Sequence, residues 1–263
     1  MQSVKQVWGR YEGKNKQEFV FQGGFTRIIL KRSYGGWMIR ENKQESCFDF
    51  FSFEPAEQNT EDRDMSLFQT GHSEILFVQP ALPVKPVVFR NNKSLAISPR
   101  QTFRIFLAIP VNVQFYYSQV DPEHLFSEYS TERLSDTWFG EPDNGEPAFS
   151  VGSRFAGQID QLASRYFEAT CPVLISNNSN QLLDLQRLII HVENLNLYQN
   201  KEQLVTDSVS IEFKGKDLIS NLHFSTEKSI QGEAPLLVGK ARQLTNKNIL
   251  GKSFHFIKNI TQL

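Results

Sequence analysis

Short runs in which apolar and polar residues alternate, broken by glycine, proline and asparagine, recur along most of this chain. Alternation puts every second side chain on one face, so these runs predict half-buried strands. Phe19-Val20-Phe21 meets Gly23-Gly24, Phe25–Leu30 follows, and Ser33-Tyr34-Gly35-Gly36 leads into Trp37-Met38-Ile39. Glycine accepts the positive φ of tight turns, so apolar runs on either side of a Gly-Gly pair predict hairpins. Cys47–Phe53 alternates as a further strand. Glu54 to Ser66, with Glu54, Glu57, Glu61, Asp62 and Asp64 and almost no apolar residue, predicts a mobile surface loop.

Strands are expected next over Glu74–Gln79, Val87–Arg90, Leu95–Ile97, Thr102–Ile109 and Val111–Tyr117, with Pro80, Pro83 and Pro86 excluding a central strand between the first two. Asp121-Pro122-Glu123 predicts a short helix, capped by Asp121 and ending near Tyr129. Tyr166–Thr170, Val173–Ser176, Leu182–Leu197, Val209–Phe213, Leu218–Phe224 and Phe254–Phe256 continue the strand pattern, with a turn at Asn177–Asn180. No long amphipathic helix, no strand–helix alternation and no fixed-period repeat intervenes. The pattern therefore predicts an all-β protein of antiparallel β-sandwich architecture with one or two short helices. Two sandwich-like units are expected, over 1–160 and 161–263, with one continuous sandwich as the alternative.

Composition adds exclusions. At 263 residues, 40% hydrophobic and 22% charged, the chain is globular, neither collagen-like nor disordered. Its 22 phenylalanines reinforce the strand reading, because aromatic rings pack well on a pleated surface. A net charge of -1 leaves no global basic field, so nucleic acid is not an expected partner. The first residues lack a signal-peptide core, and the longest apolar stretch, Ile105–Val113, is broken by Pro110 and Asn112. No transmembrane segment is expected, and a cytoplasmic location is. Cys47 and Cys171 stand far apart and outside any CxxC pair, which predicts two buried thiols rather than a zinc or redox site.

Catalytic signatures are missing: there is no G-x-G-x-x-G after a strand, no P-loop, no H-E-x-x-H and no G-x-S-x-G. His72, His124, His191, His223 and His255 show no metal-ligand spacing, so no metal, cofactor or catalytic residue is assigned. One segment departs from the average. Between Asp121 and Ser150, eight acids face Arg133 alone, a local charge of 1 − 8 = −7, whereas Lys240, Arg242, Lys247, Lys252 and Lys258 make the C-terminal stretch basic. Two solvated faces explain this; an acidic site for a cation, drawing on Asp136, Glu141, Asp143, Asn144 and Glu146, is the functional alternative, though the spacing fits no calcium loop. Within the segment, Trp138-Phe139 is an unusual pair to place on a connection. Such rings either cap an open sandwich end or form a contact surface. Asn144-Gly145 predicts a tight turn that leads the pair into a hairpin ending at Ala148-Phe149.

Lys85-Pro86-Val87-Val88-Phe89, Ser98-Pro99 with the strand from Arg104 to Val113, and Leu134-Ser135-Asp136-Thr137-Trp138-Phe139-Gly140 resemble the domain of unknown function 432 family, uncharacterised proteins of archaea and some bacteria. The resemblance covers roughly residues 80 to 200 and implies no activity, cofactor or catalytic residue.

Three functions remain open. The favoured one is a non-catalytic module that binds a protein partner or self-associates, through Trp138 and Phe139 or by strand addition at an edge such as Leu218–Phe224. The second is an enzyme with a carboxylate or divalent-cation site built on Asp136 with Glu141 or Asp143. The third is carbohydrate binding through Trp37, Tyr34 and Trp138.

Overall fold

The computed structural model describes residues 7–56, 62–140, 142–143, 145–162, 167–200, 203–215, 221–225 and 235–243, with backbone alone for 62, 91–94 and 221–225. They fall into two compact units: one within Met1–Ala81, Pro110–Arg133 and Arg165–Phe167, the other within Leu82–Ile109, Leu134–Ser164 and Glu168–Leu263. The units alternate along the sequence, whereas the sequence reading places one boundary near 160.

The first unit starts with β1 (Gly9–Glu12), β2 (Glu18–Ser33), β3 (Gly36–Ala56), β4 (Ser66–Phe68) and β5 (Ile75–Ala81). The chain then runs through β6 (Val87–Ile97) and β7 (Thr102–Pro110) of the second unit, and returns as β8 (Asn112–Tyr117) and β9 (Leu125–Ser130). Two antiparallel sheets result, β1-β5-β8-β9 and β2-β3-β4. Their apolar faces meet through aromatic rings. Tyr11 of β1 lies 4.5 Å from Phe53 of β3, and Phe115 of β8 lies 6.2 Å from Phe21 of β2. Trp37, Phe21 and Phe115 have no exposed surface.

The turn between β2 and β3 is Tyr34-Gly35, because Ser33 pairs with Gly36. Gly23-Gly24 makes no turn. It lies inside β2, where the pairing register shifts on both sides of Gly24. Gly24 has φ +59°, and a Cβ there would stand 2.0 Å from the Thr131 carbonyl oxygen. Its glycine serves a bulge and a close approach of backbone to backbone.

Other expectations change for equally local reasons. β5 runs through Pro80, which pairs with Val113 of β8, while β1 ends opposite Ile75–Val78. The proline therefore disrupts no ladder on the β1 side. Asp121 does cap a helical turn, accepting from the Glu123 and His124 amides at 3.0 and 3.1 Å. That 3-10 turn stops at His124, because Leu125–Ser130 extends as β9 along β8, with Phe126 5.4 Å from Phe68. In place of one long loop from Glu54 to Ser66, β3 reaches Ala56, a short 3-10 turn spans Asp62–Asp64 and β4 opens at Ser66. Residues 57–61 lie outside the described residues.

The second unit adds β10 (Ser135–Phe139), β11 (Glu146–Ser150), β12 (Phe155–Ala156), β13 (Glu168–Asn177), β14 (Leu183–Ile190), β15 (Leu197–Asn200), β16 (Gln203–Thr206), β17 (Ser208–Phe213), β18 (Asn221–Ser225) and β19 (Leu236–Gly239). One sheet has the order β10-β11-β6-β14. The other runs β12-β7-β13-β16-β15-β19, with β17 beside β13 and β18 beside β17.

The fold is all-β and sandwich-like, as the alternation implies, but not wholly antiparallel: β11 pairs with β6, and β13 with both β16 and β17, in parallel. β13 joins β16 at Ala169–Thr170 and β17 from Val173 onward, and Pro172, which has no N–H to give, sits between the two ladders. The expected turn after β13 is built on Asn177, whose buried amide donates to the Ile97 and Gln181 carbonyls at 2.9 and 2.8 Å. Among the described residues, no helix is long and apolar enough to cross a membrane. Phe254–Phe256 lies outside the described residues.

Candidate functional site

The β10–β11 hairpin carries most of the residues that the sequence singles out. Asn144-Gly145 falls between its strands, and Trp138 pairs with Pro147, Asp136 with Phe149 and Phe139 with Glu146. Neighbouring residues on a strand point to opposite faces, so Trp138 and Phe139 cannot share a surface.

The inward face carries Phe139 and Ala148, which join Val88 of β6 and Ile189 of β14 in a buried apolar cluster. Phe139 is therefore a core residue that anchors the hairpin. The outward face carries Asp136, Trp138, Pro147 and Phe149. Trp138 remains 48% exposed although it stands on a paired strand. Lys85 borders this face: its Nζ lies 2.8 Å from Asp136 Oδ1 and 4.9 Å above the Phe149 ring.

The acids of the segment disperse rather than converge. Asp121 binds its own helical turn, Glu128 accepts from Asn112 and Gln114 at 2.6 and 2.8 Å, and Asp136 pairs with Lys85. Asp143 sits in an exposed turn, and Glu141 and Asn144 lie outside the described residues. Among the described residues, no group of three or more His, Cys, Asp or Glu is arranged to hold a metal ion. Of the other aromatics considered for a sugar platform, Trp37 is fully buried, and Tyr34 is exposed on the β2–β3 turn of the first unit. The edge expected over Leu218–Phe224 corresponds to β18, paired on one side with β17; residues 218–220 lie outside the described residues.

A second feature escaped the sequence reading. Glu146, at the inner end of the hairpin, places Oε1 3.2 Å from His191 Nε2, and Glu193 Oε1 approaches Nδ1 of the same ring at 2.9 Å. His191 and Glu193 are buried. Burial works against a charged imidazole, but the hydrogen bonds and charges of the two glutamates outweigh it and raise the pKa to about 9. That direction favours the imidazolium at neutral pH; Nδ1–H donates to Glu193, whereas Nε2 stands at ion-pair distance from Glu146 without an aligned hydrogen bond. The imidazolium has no lone pair for general-base work, and the two carboxylates, on opposite nitrogens, do not converge on one point.

The Glu193 carbonyl in turn accepts from the Arg242 and Gln243 amides at 2.8 and 3.0 Å, and Arg242 Nε donates to the Leu82 carbonyl at 2.8 Å. Arg242, one of the cations that make the C-terminal stretch basic, is engaged here in tying down the end of the described chain. Cys171 is another buried titratable group. Burial pushes its thiol up to about 12, so it stays protonated and inert. Cys47 is only half-buried, unlike the expectation.

The profile of the family described as "Protein of unknown function (DUF432)" matches residues 7–258, well beyond the stretch from 80 to 200 that carried the resemblance. Searches among curated proteins and among solved structures returned no match.

Proposed function

We propose, from the premise that the chain belongs to the DUF432 family of proteins of unknown function, that it is a non-catalytic binding module whose outward β10–β11 face contacts a protein partner. The observation that carries this reading is Trp138, held half-exposed on a strand whose opposite face is anchored by Phe139 and Ala148. A large ring presented on a rigid element loses little entropy on association, and tryptophan is enriched among the residues that dominate interface energy. Pro147 beside it and the Lys85–Asp136 pair at its border supply an apolar centre with a polar rim. The chemistry of the second unit supports a non-catalytic role: His191 is buried beside two glutamates that favour its charged form, and Cys171 is protonated.

The test is quantitative capture of partners from the native cell extract, and sedimentation velocity for self-association, with wild type and Trp138→Ala side by side. The expected result is a loss of association of about tenfold or more, the behaviour of an interface hot spot. Unfolding free energy should change by no more than about 0.5 kcal/mol, as for other exposed positions. Equal association in both proteins, or a large loss of stability with association intact, overturns the reading.

A further inference from the structure

In the sheet β10-β11-β6-β14, Arg90 of β6 stands directly opposite Arg187 of β14. Residues so paired in an antiparallel ladder share a face, with Cβ atoms roughly 5 Å apart, and like charges there repel. Among the described residues, no carboxylate is paired with either guanidinium. Three other arginines have carboxylates, Arg10 with Glu12 at 2.6 Å, Arg40 with Asp64 at 3.7 Å and Arg154 with Glu168, and Arg32, Arg100 and Arg133 reach carbonyl or amide oxygens. The nearby acids are engaged elsewhere, Asp136 by Lys85 and Glu146 by His191, while Asp184 accepts from Gln186 at 2.8 Å.

Arg187 is moreover fixed in place. Its guanidinium lies 5.2 Å from the Phe139 ring centre, and Nη2 donates to the Trp138 carbonyl at 3.4 Å. Its Nε is shut off from solvent and has no acceptor. Burial first, and then the charge of Arg90, destabilise its protonated form. Arg90, by contrast, is exposed. One guanidinium is thus packed and oriented, and the other is exposed beside it.

We propose that Arg90 and Arg187 form a binding site for an oxyanion, a carboxylate or a phosphate group, held between the two guanidinium forks. Both groups match the planar, bidentate donor geometry of arginine, which lysine does not reproduce. The site goes beyond the Trp138 reading, since it involves neither the indole ring nor the outward face of the hairpin.

The test is a titration of the full chain, followed through the arginine Nε–H resonances, with inorganic phosphate in one arm and glutarate in the other. Sodium chloride at matched ionic strength is the control. A saturable shift at Arg187 is expected in at least one arm, and the arm that saturates at the lower concentration identifies the source of the anion. Arg90→Gln, at an exposed position, should weaken that binding by about tenfold, the loss of one charge-assisted contact. Arg187→Lys should weaken it as well, although the charge is retained. Without added anion, Arg90→Gln should melt at or above the wild-type temperature, because a repulsion has been removed. Trp138→Ala should bind the small anion as wild type does, which separates failure of this site from failure of the protein-contact face. Shifts that rise linearly in both arms, or that saturate equally in Arg90→Gln, overturn the proposal.

Discussion

The two units fill their interiors differently. The first stacks rings: Tyr11, Phe19, Phe21, Trp37, Phe53 and Phe115 make an aromatic core between two antiparallel sheets. The second relies on aliphatic side chains such as Val88, Ile105, Leu107, Ile175 and Ile189. Both units bury polar groups, Glu18, Arg32, Asn112 and Gln114 in the first and Glu168, Asn177 and Glu193 in the second, but the buried histidine among the described residues, His191, belongs to the second. Apolar burial is insensitive to pH and tolerant of small shifts, whereas a buried ion pair is favourable only while both partners are charged and close. The first unit should therefore respond to loss of volume, and the second to loss of a proton or of a hydrogen bond.

The largest effect should come from Phe115→Ala, which empties the centre of the ring cluster. A loss of about 3–5 kcal/mol is expected from denaturant unfolding followed by fluorescence. A loss below about 1 kcal/mol would mean that the ring cluster is not the core of its unit.

Next is the charge of His191. Its folded pKa of about 9 lies above the usual 6.5, so its contribution is fully present below pH 6.5 and is lost as pH rises through 9. The difference corresponds to at most about 3 kcal/mol. Hydrogen exchange should show amides of β11 and β14 opening between pH 6.5 and 9, with those of β2 and β3 unchanged after correction for intrinsic rates. His191→Ala should be less stable at neutral pH and lack this dependence. Parallel opening of both units would erase the contrast between them.

A smaller effect is expected for Asn177→Ala, which strips the Ile97 and Gln181 carbonyls of their donor at the β13 turn. About 1–3 kcal/mol is the scale for buried partners left unsatisfied. The smallest effect concerns reactivity alone. At pH 8 a thiol reagent should modify Cys47 in the native protein, and Cys171 only on unfolding. Simultaneous modification would place Cys171 outside a closed core.

The same contrast explains which parts of the molecule were legible in the sequence. The aromatic strands and the Asn144-Gly145 hairpin follow from local alternation and turn chemistry, both of which act within a few residues. Phe139 was misread as part of a contact surface because its exposure depends on treating Trp138-Phe139 as a loop. Once the pair is strand, the pleat sends the rings to opposite faces.

The acidic segment looked like one feature because charge was summed along the chain, yet the fold divides it at Arg133 and Leu134 between the two units. Glu146 with His191, and Arg90 with Arg187, are brought together only by pairing between distant strands. Nothing in the sequence around His191 points to Glu146. Gly23-Gly24 misled in the opposite sense, because the demand for glycine comes from Thr131, far along the chain.

The alternation of the two units along the sequence bears on the order in which a ribosome delivers them. β5 is synthesised before its neighbour β8, with β6 and β7 in between. The sheet of the first unit therefore cannot close until two strands of the second have already emerged, and those strands must wait for β11, β13 and β14. Domains that are contiguous in sequence can fold one after the other during translation. Here translation must leave both units half-made at the same time, with unpaired strand edges exposed on each. A released chain truncated just after Tyr117 should be more prone to proteolysis and chaperone capture than one truncated after Ser130.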